Sequence, residues 1–379
     1  FQHSVLSGFP LQFAALIFAS IPNAVSKSRK KREKTMKNKL LFILIFIFSS
    51  NCFSQEKTKA AFNELDMVKL PAGTYTIGED VQTYTAKRSV KPFLINKYET
   101  PYTLWFLVRK YSEKNGYKFQ NPGQEGTRAR RGKAPTQKGF GQPVTMISWH
   151  DAIVWCNAFS EYCGLTPCYT YNGEILKNSA DTAKCDLAEC DFNANGFRLP
   201  TESEWEYAAR WSKNGLQKGN KASGDFSAES ENNTLEYAWT NENADASMPV
   251  GTAGTPFSED AIPSPGTGNA NAAGLFDMSG NLLEFCWDWF ADYAEQKENE
   301  IAAGPEYGSQ RACRGGSFSE YTVFCFAAER YGYDSNECYD YMGFRFVQNS
   351  PENPRSPKVF AEDSRSRFCK VRLRTKILR

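Results

Sequence analysis

The segment from Phe318 to Met342 holds eight aromatic residues in 25, and Gly, Asp, Ser and Asn stand around Tyr331, Tyr333, Tyr339 and Tyr341 with no apolar run beside them. It lies between Arg314-Gly315-Gly316-Ser317 and Gly343-Phe344-Arg345-Phe346-Val347. Such a stretch requires a rigid frame on both sides, and the frame then presents it as a contact surface. Tyr supplies large, stiff, amphipathic area while Asp, Ser, Asn and Gly supply adaptable hydrogen bonds, which is the composition of antibody-like binding surfaces. The competing reading is core packing, because Tyr331/Tyr333 and Tyr339/Tyr341 are spaced two apart, as on strands with one buried face. Asp334 and Asp340 interleave with them and favour the surface. The pattern therefore predicts one exposed patch made of Ser319, Tyr321, Phe324, Tyr331, Tyr333, Asp334, Asn336, Tyr339, Asp340 and Tyr341.

Charge narrows the partner. The two ends carry most of the excess basic residues, and residues 54–347 hold 28 Lys/Arg against 39 Asp/Glu, a net of −11. Nucleic-acid binding depends on Lys/Arg clusters that neutralise phosphates, so nucleic acid is not expected. A cation such as Ca²⁺ remains compatible.

Met36-Lys37-Asn38-Lys39 followed by the apolar Leu40–Phe48 has the charged and hydrophobic regions of a secretion signal, and the apolar run is too short to span a bilayer. Small residues lead to Cys52, as in a bacterial lipobox whose cysteine is acylated; ordinary cleavage near Gln55 is the alternative. The expected protein is thus exported and lipid-anchored at the cell surface or outer membrane, or otherwise secreted. Residues 1–35 read as upstream translation, 36–55 as the signal, 67–347 as one domain, and 348–379 as a basic disordered or read-through tail. A monomer is expected. Nine cysteines from Cys156 to Cys338 suggest some disulfides in an exported chain. Cys163/Cys168 and Cys185/Cys190 bracket a loop region, and Cys286 and Cys313 would face each other on paired strands.

Met67–Gly78 alternates as a strand does, and Val90–Ile95 reads as a second strand. Ser148 with Asp151 marks a helix start followed by Ala152, Trp155, Cys156 and Phe159 at helical spacing, ended by Gly164. Thr201 with Glu204 is a second capping box, for a helix burying Trp205, Ala208 and Ala209. Residues 213–273 are rich in Gly, Ser, Asn, Thr and Pro, and bound ions or short strands are expected to hold so long a stretch.

Several motifs in order carry a family resemblance. They are Leu70-Pro71-Ala72-Gly73 to Gly78, Gln142-Pro143-Val144 to Trp149, Gly196-Phe197-Arg198-Leu199-Pro200-Thr201 on to Arg210, and Gly274-Leu275-Phe276-Asp277 on to Glu284. With the Arg-Gly-Gly-Ser and Gly-Phe-Arg closers they cover residues 67–347 and resemble the formylglycine-generating enzyme, or sulfatase-modifying factor, family. The resemblance implies an α+β fold, a variant of the C-type lectin fold with little regular secondary structure. Arg198, Glu204 and Arg210 then read as structural ion-pair partners.

Active members of that family hold Cu(I) between two cysteines placed five apart after the Gly-Gly-Ser. Here the first position is Glu320 and the second is Cys325. A thiolate beside a hard carboxylate is a poor Cu(I) site, so no copper and no oxidase activity are expected. His150 is the domain's lone histidine, which disfavours a histidine-based metal site or a Ser-His-Asp triad. The segment after Arg330 resembles a second branch of the fold, the variable proteins of diversity-generating retroelements, in which adenine-containing codons are rewritten within a fixed scaffold. Glu320 and Glu337 are not reachable from an Asn codon and would be fixed or differently templated. The resemblance implies a non-enzymatic protein that binds a macromolecular surface ligand, protein or glycan. It also implies a structural Ca²⁺ in the loop Asp277–Glu284, with ligands from Asp277, Gly280, Leu282 and Glu284.

Overall fold

The computed structural model describes residues 63–228, 232–258, 261–294, 301 and 303–350. The signal, Cys52 and the tail beyond Ser350 lie outside the described residues.

The first two expected strands each break at a proline. β1 (Met67–Leu70) and β2 (Gly73–Ile77) flank Pro71, while β3 (Ala86–Val90) and β4 (Phe93–Asn96) flank Pro92. Proline has no N–H for the ladder, so pairing stops there. The breaks lie side by side: Leu70 pairs with Phe93, and pairing resumes at Gly73 with Val90. One bent hairpin thus feeds two separate sheets.

α1 (Tyr102–Ser112) was not foreseen. Its N-cap is Pro101, which makes no side-chain cap, so no start signal marks it. It buries Leu104, Trp105 and Val108 against α2 (Trp149–Cys163). α2 begins with the expected capping box of Ser148 and Asp151 and ends at Gly164, whose φ of 75° is the left-handed cap conformation. Between α1 and α2 lie the paired β5 (Gln124–Glu125) and β6 (Val144–Thr145). Three short strands follow, β7 (Tyr169–Tyr171), β8 (Glu174–Ile175) and β9 (Glu189–Cys190), with α3 (Thr182–Asp186) inserted before the last. β10 (Phe197–Arg198) leads into α4 (Glu202–Arg210), which starts with the Thr201/Glu204 capping box and has all its residues buried.

The chain closes through a short α5 (Thr234–Tyr237), β11 (Leu283–Trp289), β12 (Arg311–Arg314), β13 (Arg330–Tyr333), β14 (Met342–Gly343) and β15 (Val347–Asn349). One antiparallel sheet has the order β1-β4-β15-β10, which places both ends of the described domain on β4. A second sheet has the order β13-β12-β11-β14, with β14 parallel to β11 and β13 at an edge. An aromatic stack joins the helices to the closing segment: Trp105 lies parallel to Trp155 at 5.8 Å, and Phe344 packs edge-on to Trp155 at 5.4 Å. Edge-on and offset contacts of this kind add to burial of the large ring surfaces.

Two expectations need correction. Residues 213–273 form no named strand among the described residues. Side-chain hydrogen bonds help to hold the stretch: Asn271 Nδ2 donates to the carbonyls of Ala208 and Ala209, and Asp225 accepts from the backbone N–H groups of Ser227 and Asn233. The nine cysteines are all free thiols. Cys313 sits opposite Phe285 rather than Cys286, and a register shift follows before Trp289 meets Arg311. The two cysteines accordingly enter different core clusters.

Candidate ligand-binding face

Two glycines launch the face. After β12 the chain turns through Gly315 and Gly316, whose φ values of 98° and 71° suit glycine alone. A Cβ on Gly316 would stand 2.6 Å from both Cys325 Sγ and the Phe324 carbonyl, so no larger residue fits. The turn aims the Ser317 N–H at the Glu320 carboxylate, 2.9 Å from Oε2, and brings Ser317 Oγ within 2.9 Å of Ser319 Oγ.

A 3-10 turn, Thr322–Cys325, then sorts the side chains. Thr322 and Cys325 point inward, while Tyr321, Val323 and Phe324 are exposed at 61%, 49% and 46%. On β13 the residues Tyr331 and Tyr333 share a face opposite Cys313 and Arg311, and Gly332 alternates to the other side. The Tyr331 hydroxyl donates to the Phe324 carbonyl at 2.7 Å, tying strand to turn. Tyr339 and Tyr341 stack in parallel at 5.0 Å with 9° between planes, and Tyr333 stands at 66° and 62° to them.

The ten residues named from the sequence divide evenly. Ser319, Tyr321, Phe324, Asp334 and Asn336 are exposed, whereas Tyr331, Tyr333, Tyr339, Asp340 and Tyr341 are half-buried, and none is fully buried. The four half-buried tyrosines rest one edge on the main core cluster. The choice between core and surface thus resolves residue by residue: rings lean on the core with their other side outward.

The scaffold grips the backbone of this segment. Phe318 N–H donates to the Asn281 carbonyl, Asn241 N–H to the Glu320 carbonyl, Met146 N–H to the Tyr339 carbonyl, and Leu283 N–H to the Tyr341 carbonyl, all within 2.9–3.0 Å. None of these bonds depends on the identity of a face side chain.

Sequence reasoning missed several contributors. Val323 is exposed within the patch. Glu337 accepts from the Tyr339 hydroxyl at 3.0 Å. Ser335 is buried and donates to Asp186 Oδ1, the oxygen that also meets His150 Nε2, each at 2.7 Å. The meeting of Ser335 with Asp186 and His150 is long-range and left no local signal in the sequence. Glu320 is half-buried in the patch, and burial pushes its carboxyl up to about 7 against the pull of the Ser317 N–H. Cys325, the second of the two positions discussed for copper, is fully buried in the turn and burial pushes its thiol well up. A single buried thiol beside a hard carboxylate is a poor Cu(I) site.

Beneath the face lies the loop named for calcium. The Glu284 carboxylate receives Arg345 through Nε and Nη2 at 2.6 Å each, and the Trp205 indole N–H at 2.8 Å. The same guanidinium donates to the carbonyls of Phe276, Asp277, Asn96 and Lys97. Asp277 Oδ2 accepts from Gly251 N–H, while its buried Oδ1 has no partner. Burial raises the Asp277 carboxyl to about 7. The Arg345 guanidinium therefore sits in this loop between the Glu284 carboxylate and the Asp277 backbone. Among the described residues no group of three His, Cys, Asp or Glu side chains is arranged to hold a metal. Of the residues named for Ca²⁺, Glu284 is held by Arg345 and Trp205, while Asp277 keeps one buried carboxylate oxygen without a protein partner among the described residues.

The other named ion pairs fix the frame. Arg198 grips Glu204 through two bonds of 2.7 Å, and Arg210 reaches Glu206 at 2.8 Å and Glu79 at 2.9 Å.

Residues 53–350 match the model of the sulfatase-modifying factor enzyme 1-like domain, and the chain belongs to that family. It is 31% identical over 274 residues to "Chaperone protein LppX" of Paenibacillus barcinonensis, a match covering 70% of this chain and 85% of that protein. It is 33% identical over 147 residues to the formylglycine-generating enzyme of Thermomonospora curvata, spanning 34% of this chain and 41% of the enzyme. Among solved structures, Treponema denticola variable protein 1 superposes with a TM-score of 0.55 at 27% identity, covering 75% of this chain and 95% of that one. The fold is accordingly α+β and C-type lectin-like, of the formylglycine-generating enzyme type. No helix among the described residues is long and apolar enough to cross a membrane.

Proposed function

We propose that this protein is a non-enzymatic binding protein, exported and lipid-anchored through Cys52, that presents residues 319–341 as a variable face to a macromolecular ligand, protein or glycan. The observation that carries this reading is the backbone grip on the segment, which lets side chains change without loss of the scaffold. The likeness to Treponema denticola variable protein 1 over three-quarters of the chain supports it. The oxidase reading is opposed by Glu320 and by the buried thiol of Cys325. Incubation of the protein with Cu(I), O₂ and a cysteine-containing sulfatase peptide, followed by mass spectrometry, should leave the peptide unchanged. Copper-dependent conversion of its cysteine to formylglycine would overturn the reading. Because a relative at 31% identity is named a chaperone, we favour a polypeptide over a glycan as the ligand. Binding that survives deglycosylation of a surface extract but not its proteolysis is the expected result; the reverse would make the ligand a glycan.

A further inference from the structure

The face has a corner built for charge. Tyr339 and Tyr341 make one wall, with rings parallel at 5.0 Å, and Tyr333 makes a second wall steeply inclined to both, its centroid 5.9 and 6.4 Å from theirs. Glu320 is close enough to act electrostatically on the phenols of Tyr331, Tyr333 and Tyr341. One Glu320 oxygen accepts from Ser317 N–H, and among the described residues the other accepts no hydrogen bond. Residues 315–344 carry Glu320, Glu329, Asp334, Glu337 and Asp340 against one base, Arg330. That base is already engaged, by both oxygens of Glu202 at 2.7 Å and by the Ala291 carbonyl. The exposed Arg131, which donates to Met146 Sδ and acts on Cys338, is the nearby basic group at the rim.

Tyrosine ring faces are negative and attract cations, more strongly when water is excluded, and a carboxylate beside them adds a direct partner. We propose that Tyr333, Tyr339, Tyr341 and Glu320 form the anchor pocket of this face for an arginine or lysine side chain of a protein partner. The inference rests on the binding-face reading above and narrows it to a basic protein epitope. A guanidinium fits best, since its plane can stack on a ring while its edge reaches the free Glu320 oxygen.

The pocket should also respond to pH. The titratable groups around Glu320 are the phenols of Tyr331, Tyr333 and Tyr341, the thiols of Cys313 and Cys325, and Glu242 at the turn. Of these, the phenols and the two thiols are all shifted upward and stay neutral near pH 7, so Glu320 is the group that changes charge there.

The test is a titration of the full chain with N-acetyl-arginine methylamide, with the uncharged citrulline analogue as control, read by calorimetry at pH 6 and pH 8. Saturable binding of the arginine probe, stronger at pH 8, and none of citrulline are expected. Glu320→Gln keeps the acceptor for Ser317 N–H and should weaken binding by about five-fold or more and abolish the pH effect. Tyr339→Leu removes one wall and should weaken binding at both pH values, which keeps the test decisive should Glu320→Gln fail to fold. Absence of saturable binding, equal binding of citrulline, or wild-type affinity in both variants overturns the cation pocket. Binding to a surface extract, lost on Tyr321→Ala and Phe324→Ala, would in that event leave the binding face standing; its persistence in those variants would remove both.

Discussion

The pocket around Glu284 on β11 and the face around Tyr333 on β13 belong to one sheet, with β12 between them, and are stabilised in opposite ways. Under the face, side chains satisfy one another: Arg345, Glu284 and Trp205 are fully buried, and each hydrogen-bonds another member of the trio. On the face, the main chain is held by the scaffold and the exposed side chains carry little of the load, while four tyrosines rest one edge on the core. A fold that must change its contact residues has to place its specificity for folding elsewhere, and here that place is the layer directly beneath.

The contrast can be broken most severely from below. Arg345→Ala leaves Glu284 buried without its partner, beside Glu99 and Asp277, and a loss of about 3–5 kcal/mol in urea unfolding is expected. A loss under about 1 kcal/mol would show that the lower layer does not hold the domain together.

At the hinge between the two regions, Gly316→Ala meets both a positive φ and a 2.6 Å approach to Cys325 Sγ and the Phe324 carbonyl. The expected cost is about 1–3 kcal/mol. Gly274→Ala, at a similar φ of 83° but with open space around it, should cost less and separates backbone strain from the clash.

Glu320 is the exception on the face, because its burial has an energetic consequence. Its carboxyl ionises near 7 when folded and near the ordinary 4.5 when unfolded, so the folded state binds more protons between those values. Stability from this group is full below about pH 4.5 and is lost as pH rises through 7. Glu320→Gln should therefore gain about 1–2 kcal/mol over wild type at pH 8, after allowance for its partial exposure, and close to nothing at pH 4. A gain of equal size at both pH values would assign the effect to packing.

The smallest effect concerns calcium. With Asp277 Oδ1 free and Arg345 already on Glu284, Ca²⁺ at the loop Asp277–Glu284 should raise the thermal midpoint only slightly over that in EGTA. An unchanged midpoint across saturating Ca²⁺ would remove the site.

How much of this was legible follows from where each signal lives. The capping boxes at Ser148 and Thr201 are local, and both helices start there. α1, capped by nothing but Pro101, left no such mark. Pro71 and Pro92 were visible, yet alternation across them suggested unbroken strands; the missing N–H groups decide the matter. At the face, composition pointed to the segment but not to the depth of each ring. Depth depends on the register of β13 against β12 and on the 3-10 turn, both set by tertiary contact. Ser335 is polar like the exposed Asp334 and Asn336 beside it, and its burial goes with a meeting with Asp186 and His150 across the fold. The cysteines misled because free Cys is also a small core residue, and six of these nine are buried as such.

The central claim is that the face varies without cost to the fold, and the most direct measurement is a combined Tyr321→Ala, Phe324→Ala, Asn336→Ala variant compared with wild type. Its urea midpoint and its binding to a bacterial surface extract would be measured on the same preparation. All three side chains are exposed, so a stability change of about 0.5 kcal/mol or less per site is expected, together with loss of binding. Unfolding of the variant, or full binding by a variant that folds, would contradict the account.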